Sequence, residues 1–145
     1  MAERAQSYAN HARYFPPFHF FVTPILLLNF LNAVRHLVLA PSLSTGFAVL
    51  VAAAIVMIAV TARMMANAVQ DRVIRLEMRL RLAGLLPPDL QPRISDLTVG
   101  QLVALRFAGD AELPALVREV LAGKFKTQKE IKLQVKEWQP DWTRA

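Results

Sequence analysis

The stretch Gly46–Ala62, GFAVLVAAAIVMIAVTA, runs for 17 residues with one threonine and no charge. A helix in a soluble protein keeps a polar face toward water, and this segment has none. As a helix it rises ~26 Å, close to the ~30 Å hydrocarbon core of a bilayer. A second stretch of matching length precedes it. Phe18–Val34 reads FHFFVTPILLLNFLNAV, with His19, Thr23, Asn29 and Asn32 as its only clearly polar residues. Two apolar runs of equal length joined by a short loop predict a membrane hairpin. Pro24 is tolerable in the first span, because neighbouring groups satisfy the carbonyl it frees. Pro41 and Ser42 supply the turn. The first run exceeds the usual apolar core of a signal peptide, and two asparagines, Arg35 and His36 interrupt it, which argues against cleavage after Val38-Leu39-Ala40.

Composition agrees. Hydrophobic residues make up 54% of the 145-residue chain, above the ~45–50% usual for soluble domains. There are no cysteines, which excludes disulfides, thiolate metal sites, iron–sulfur clusters and cysteine nucleophiles together. The formal net charge is +6. Fourteen of the 17 lysines and arginines lie from Arg63 onward, against ten of the 11 acids, so that stretch carries only +4. It is a mixed-charge surface with a basic tilt.

Lysine and arginine counts in short flanks set orientation. Arg4 and Arg13 precede the first span, and Arg63, Arg72, Arg75, Arg79 and Arg81 follow the second. The loop Leu37–Thr45 has no charge, so the count is seven against one even if Arg35 is placed outside. Both termini are expected on the cytoplasmic side. Tyr8, Tyr14, Phe15, Phe18, Phe20 and Phe21 cluster where aromatic rings suit the inner headgroup level. His11 and His19 stand on either side of the Pro16-Pro17 break and do not provide the three or four ligands a metal needs.

Asn29, Asn32 and His36 recur at i, i+3 and i+7 and share one helix face. The second span offers small residues at matching spacing: Ala48, Ala52, Ile55, Ala59 and Ala62. Polar side chains in lipid normally face protein, so the asparagine stripe is expected to pack on the alanine stripe, within one chain or between two copies. Without a buried carboxylate the stripe makes a poor proton relay, and structural glue is the better reading.

No helix breaker closes the second span. Ala62, Ala66, Val69, Val73, Leu76, Leu80 and Ala83 follow alternating spacings of four and three, a coiled-coil-like seam of about three heptads. This predicts a helical stalk ending near Gly84 as its C′ residue, before Pro87-Pro88. Asp71–Arg75 and Glu77–Arg81 have the i, i+4 spacing of helix-surface ion pairs. The seam suits either a partner helix or the chain's own downstream domain.

Three short helices are expected beyond it. Thr98 and Gln101 form a capping box opening a helix to about Ala108, and Thr127 and Glu130 form another opening a helix to about Glu137. Asp110 is placed to cap a helix running to Ala122, with Gly123 after its end. Ile131, Val135 and Trp138 recur at i, i+4 and i+7, and Trp142 is placed to fold back on them. The pair of helices around Ala108-Gly109-Asp110 suggests a helix-turn-helix. However, the second helix exposes Glu112, Arg118 and Glu119, which reach neither bases nor phosphates well. Arg72, Arg75, Arg79 and Arg81 with Lys129, Lys132 and Lys136 form a basic surface; a solvated face is the simpler reading, and contact with anionic headgroups or nucleic-acid phosphates the alternative.

The layout that follows is all-α: an interfacial segment (1–17), a first span (18–39), an outer loop (40–45), a second span (46–63), a stalk (64–86) and a helical domain (87–145). No P-loop, GxSxG, HExxH or dinucleotide fingerprint occurs, so neither an enzyme nor a cofactor is expected. The expected partners are the bilayer and a protein, either another chain or a second copy; nucleic acid is not expected. The candidate interaction residues are Val69, Val73, Leu76, Leu80 and Trp138.

The stretches Tyr8-Ala-Asn-His-Ala-Arg-Tyr14, Val69-Gln-Asp-Arg-Val-Ile-Arg-Leu-Glu77 and Leu102–Pro114, with Ile131-Lys and Val135-Lys-Glu-Trp138, carry a resemblance over nearly the whole chain. Together they resemble DUF6526, a family of small bacterial membrane proteins of unknown function. The resemblance implies a two-span protein of the bacterial inner membrane and supplies no activity, cofactor or site residue.

Overall fold

A computed structural model describes residues 7–8 and 15–141. Arg4, His11, Arg13, Tyr14 and Trp142 lie outside the described residues. The chain is mostly helical, with no strand among the described residues. Its described residues divide into two compact units, one over 15–67 and the other over 68–141.

In the first unit, a π-helical segment Pro17–Val22 leads into α1, Thr23–Leu39. Pro24 sits in the first turn of α1 and crowds the carbonyl four residues back. The chain widens there: Thr23 donates both its N–H and its hydroxyl to Phe18 O, five residues back, the hydroxyl at 2.9 Å. A turn at Ala40–Ser42 leads into α2, Leu43–Leu85, an uninterrupted helix of 43 residues. Ser42 and Thr45 close its start reciprocally: Ser42 N–H donates to Thr45 Oγ1 at 2.9 Å and Thr45 N–H to Ser42 Oγ at 3.1 Å.

Two helices, Pro17–Leu39 and the apolar part of α2, are long and apolar enough to cross a membrane. The buried helix of a soluble core passes the same length and composition test. Only 0% and 6% of the most apolar windows are buried, whereas a soluble core helix hides most of its surface. Phe20, Leu28, Leu50, Met57 and Ile58 all stand exposed.

In the other unit, the later part of α2 packs against α3 (Val99–Leu105), α4 (Leu113–Leu121) and α5 (Gln128–Gln134), with a 3-10 segment Gln91–Asp96 between α2 and α3. The shared core holds Ile74, Met78 and Leu82 of α2 with Leu102, Leu105, Phe107, Leu113, Val117 and Ile131. The capping box of α3 is complete, with Thr98 N–H on Gln101 Oε1 at 2.8 Å and Gln101 N–H on Thr98 Oγ1 at 3.3 Å. Gly123 ends α4 at φ 73°, the left-handed region that suits glycine. Gly123 N–H bonds Val120 O and Lys124 N–H bonds Glu119 O, the two bonds of a Schellman close.

Several local expectations are corrected. Gly84 does not end α2; the helix passes through it to Leu85, and Leu86 N–H still reaches Leu82 O. Asp110 does not cap α4. Glu112 occupies that position without a side-chain cap, and its carboxylate accepts instead from the backbone N–H groups of Gly109, Lys136 and Glu137. α5 ends at Gln134, and Val135 turns the chain into an extended conformation. Trp138 therefore lies on no helix; it forms an isolated antiparallel bridge with Ala108.

Thr127 opens α5 as expected, accepting from Glu130 N–H at 3.2 Å. The Lys126 N–H and the Thr127 hydroxyl both donate to the Glu130 carboxylate, which holds its pKa below the ordinary value of 4.5. A depressed carboxyl pKa gives stability that is complete above the unfolded value and is lost as pH falls through the folded one. Wild type and Glu130→Gln are thus expected to differ by a constant melting temperature above about pH 5.5 and to converge below pH 4.5. Thermal scans across that range check this.

Candidate functional site

The second half of α2 carries two apolar stripes on opposite sides. At 100° per residue, Ile74, Met78 and Leu82 cluster on one side and are buried at 6%, 3% and 0% exposure. Val69, Val73, Leu76 and Leu80 cluster on the other and are exposed at 60%, 48%, 64% and 77%. The heptad seam therefore does not pack on the chain's own domain, and a different, less regular stripe does. Sequence reasoning missed that second stripe. Its signal was present, since Ile74, Met78 and Leu82 repeat at i, i+4 and i+8.

Trp138 is placed differently from the seam. It is half-buried, with its ring centroid 4.8 Å from that of Phe107. The indole is a side wall of the core, far less available to a partner than the four seam residues.

The basic surface is divided. Arg81 turns away from Glu77 and grips the end of α3: Nε donates to Asp110 Oδ1 at 2.8 Å, Nη2 to Ala108 O at 2.7 Å and Nη1 to Arg106 O at 3.2 Å. A guanidinium suits these carbonyls because the last ones of a helix lack intrahelical partners and carry partial negative charge. Arg79 is half-buried, with its Nε buried and unpartnered among the described residues. Lys132 lies with Nζ 5.4 Å from the Phe107 ring centroid. Arg72, Arg75, Lys129 and Lys136 remain exposed. The expected Asp71–Arg75 and Glu77–Arg81 pairs do not form among the described residues.

Arg106, which sequence reasoning did not single out, is the one buried charged residue among those described. Its Nε donates to Asp141 Oδ2 at 2.9 Å and its Nη1 to Val103 O at 2.6 Å, and its guanidinium lies 4.0 Å from the Phe107 ring centroid. Pairing of this kind is what a buried charge requires. Arg81 and Arg106 line an open cavity of about 340 Å³ with Glu77 and Asp141. Both guanidinium groups donate to protein atoms at its wall.

In the other unit, Asn29, Asn32 and His36 share a groove with two of the expected alanines, Ala48 and Ala52. All three polar residues are exposed, and the groove, of about 480 Å³, also takes in Ser44 and Thr45. The face of α1 turned inward is the adjoining one, Leu26, Phe30, Ala33 and Leu37. On α2 the inward residues include Val49, Ala52, Val56 and Ala59, so two of the five expected stripe members fall on it.

The model of DUF6526, a family of unknown function, matches residues 1–145, and the chain belongs to that family. No curated protein and no solved structure matches the chain.

Proposed function

We propose that this family member is a non-catalytic interaction module anchored in the bacterial inner membrane, with both termini in the cytoplasm. Pro17–Leu39 and the apolar part of α2 supply the anchor. The working surface is the exposed side of α2 at Val69, Val73, Leu76 and Leu80. The observation that carries this reading is the second apolar stripe: a helix that has already buried one apolar face in its own core still presents another to its surroundings. Monomeric soluble surfaces rarely keep such a contiguous apolar run unless something covers it. The charge counts in the flanks support the orientation.

The test compares the tagged full-length protein with a Val73→Glu/Leu76→Glu variant after gentle extraction. The interaction reading expects the wild type to form a defined complex, with itself or another chain, that the variant loses. A wild type that runs as a lone monomer, with the same partners as the variant, contradicts it. Both substitutions fall on exposed positions, so the core is untouched. The rival reading, in which Arg72, Arg75, Lys129 and Lys136 hold the inner leaflet, expects salt-sensitive binding of these cations to anionic lipid instead.

A further inference from the structure

We infer that the occupant of the exposed α2 stripe is a second copy of this chain, aligned parallel and in register. The inference rests on the interaction reading above and adds the identity of the partner. Val69 and Leu76 fall at d positions of a heptad, and Val73 and Leu80 at a positions. This register places Arg72 and Arg79 at g and Glu77 at e. In a parallel pair, a g side chain lies beside the e side chain five residues later on the other helix. Arg72 of each copy then meets Glu77 of its partner, twice by symmetry. In an antiparallel pair, g faces g and e faces e, which sets Arg72 against Arg79 and leaves Glu77 opposite Gln70 with no cation to meet.

The charges are free to make this contact. Arg72 and Glu77 are both exposed, and Arg81, the intrachain alternative for Glu77, is committed to Asp110 and two carbonyls. Two heptads form too short a seam to hold two soluble helices together, since isolated helices below ~12–15 residues are marginal in water. α2 removes that difficulty, because the seam and the membrane-length apolar stretch belong to the same helix. Two copies in one bilayer share an orientation and meet at high effective concentration. The same anchor disfavours the antiparallel arrangement.

The chain has no cysteine, so single cysteines report position cleanly. Val73→Cys, Leu76→Cys and Leu80→Cys place a thiol on the seam, and Arg75→Cys places one off it. Isolated membranes carrying each full-length variant are treated with an oxidant and read as covalent dimer on non-reducing gels. The three seam variants are expected to cross-link about tenfold more than Arg75→Cys, because a disulfide needs Cα atoms within ~7 Å. Adding Arg72→Glu to Leu76→Cys lowers the yield about threefold, and adding Glu77→Arg on top restores it.

Equal cross-linking on and off the seam, or none on it, overturns the proposal. Loss without restoration in the charge-swapped variant overturns the parallel register. Seam cysteines that yield only an adduct with a different protein overturn self-pairing and leave the interaction reading standing. Seam cysteines that form no protein adduct and are hidden from a water-soluble maleimide place the stripe in lipid, and both readings fall.

Discussion

Arginine at both Leu50 and Met57 is expected to expel the second apolar segment from the membrane. Both side chains are 68% exposed, seven residues apart on one face of α2. If that face meets lipid, each arginine costs roughly 2.5–3.5 kcal/mol near the span centre, or about 5–7 kcal/mol together. The other seven large apolar residues between Phe47 and Val60 favour insertion by ~0.3–0.6 kcal/mol each, roughly 2–4 kcal/mol in all. The balance reverses sign. If water bathed the same face, two exposed arginines would change stability by no more than ~0.5 kcal/mol each. The ratio of membrane-inserted to uninserted full-length chain, with and without the pair of substitutions, separates the two cases. An unchanged ratio contradicts a lipid-facing position.

Phe107→Ala is expected to cost the helical unit about 3–5 kcal/mol, enough to unfold a marginal domain. The ring is fully buried, with Trp138 against it and the Arg106 guanidinium over it. Removing it opens a cavity between side chains that are themselves held in place. Arg106 is tied to Asp141 and Val103 O, and the backbone beyond Trp138 is pinned by Gln139 N–H on Phe107 O at 2.7 Å. A site that cannot collapse keeps its void and pays near the top of the range. Denaturant unfolding of the full chain in detergent, followed by tryptophan fluorescence, measures this loss; a change below ~1 kcal/mol would mean that the core relaxes freely around the gap.

The elements that were legible in the sequence are those written in local chemistry. Thr98 with Gln101, Thr127 with Glu130, and Gly123 each announce a helix end within a few residues, and the hydrogen bonds lie where that chemistry puts them. The apolar runs are equally plain, because the absence of a polar face needs no tertiary context. What stayed hidden depends on contacts distant in sequence. Arg81 has an acid four residues before it on the same helix, and only the folded chain shows that Asp110 and two carbonyls at the end of α3 compete more strongly. Val135 and Trp138 keep helical spacing, yet Ala108 captures the strand-like segment and ends α5 early. On α2, periodicity found the more regular stripe, while Ile74, Met78 and Leu82 made the core. Spacing identifies apolar faces but does not say which of two neighbours each will meet. In the other unit, Asn29, Asn32 and His36 share a face as the spacing requires and line one groove with Ala48 and Ala52.

Fractionation of the native full-length protein by an alkaline carbonate wash tests the membrane assignment most directly. Peripheral attachments are stripped at high pH, whereas a chain held by two membrane-spanning helices stays with the lipid. The chain is predicted to sediment with washed membranes and to enter the supernatant only with detergent. Recovery in the carbonate supernatant without detergent would contradict the account, because Pro17–Leu39 and the first half of α2 would then have to face water.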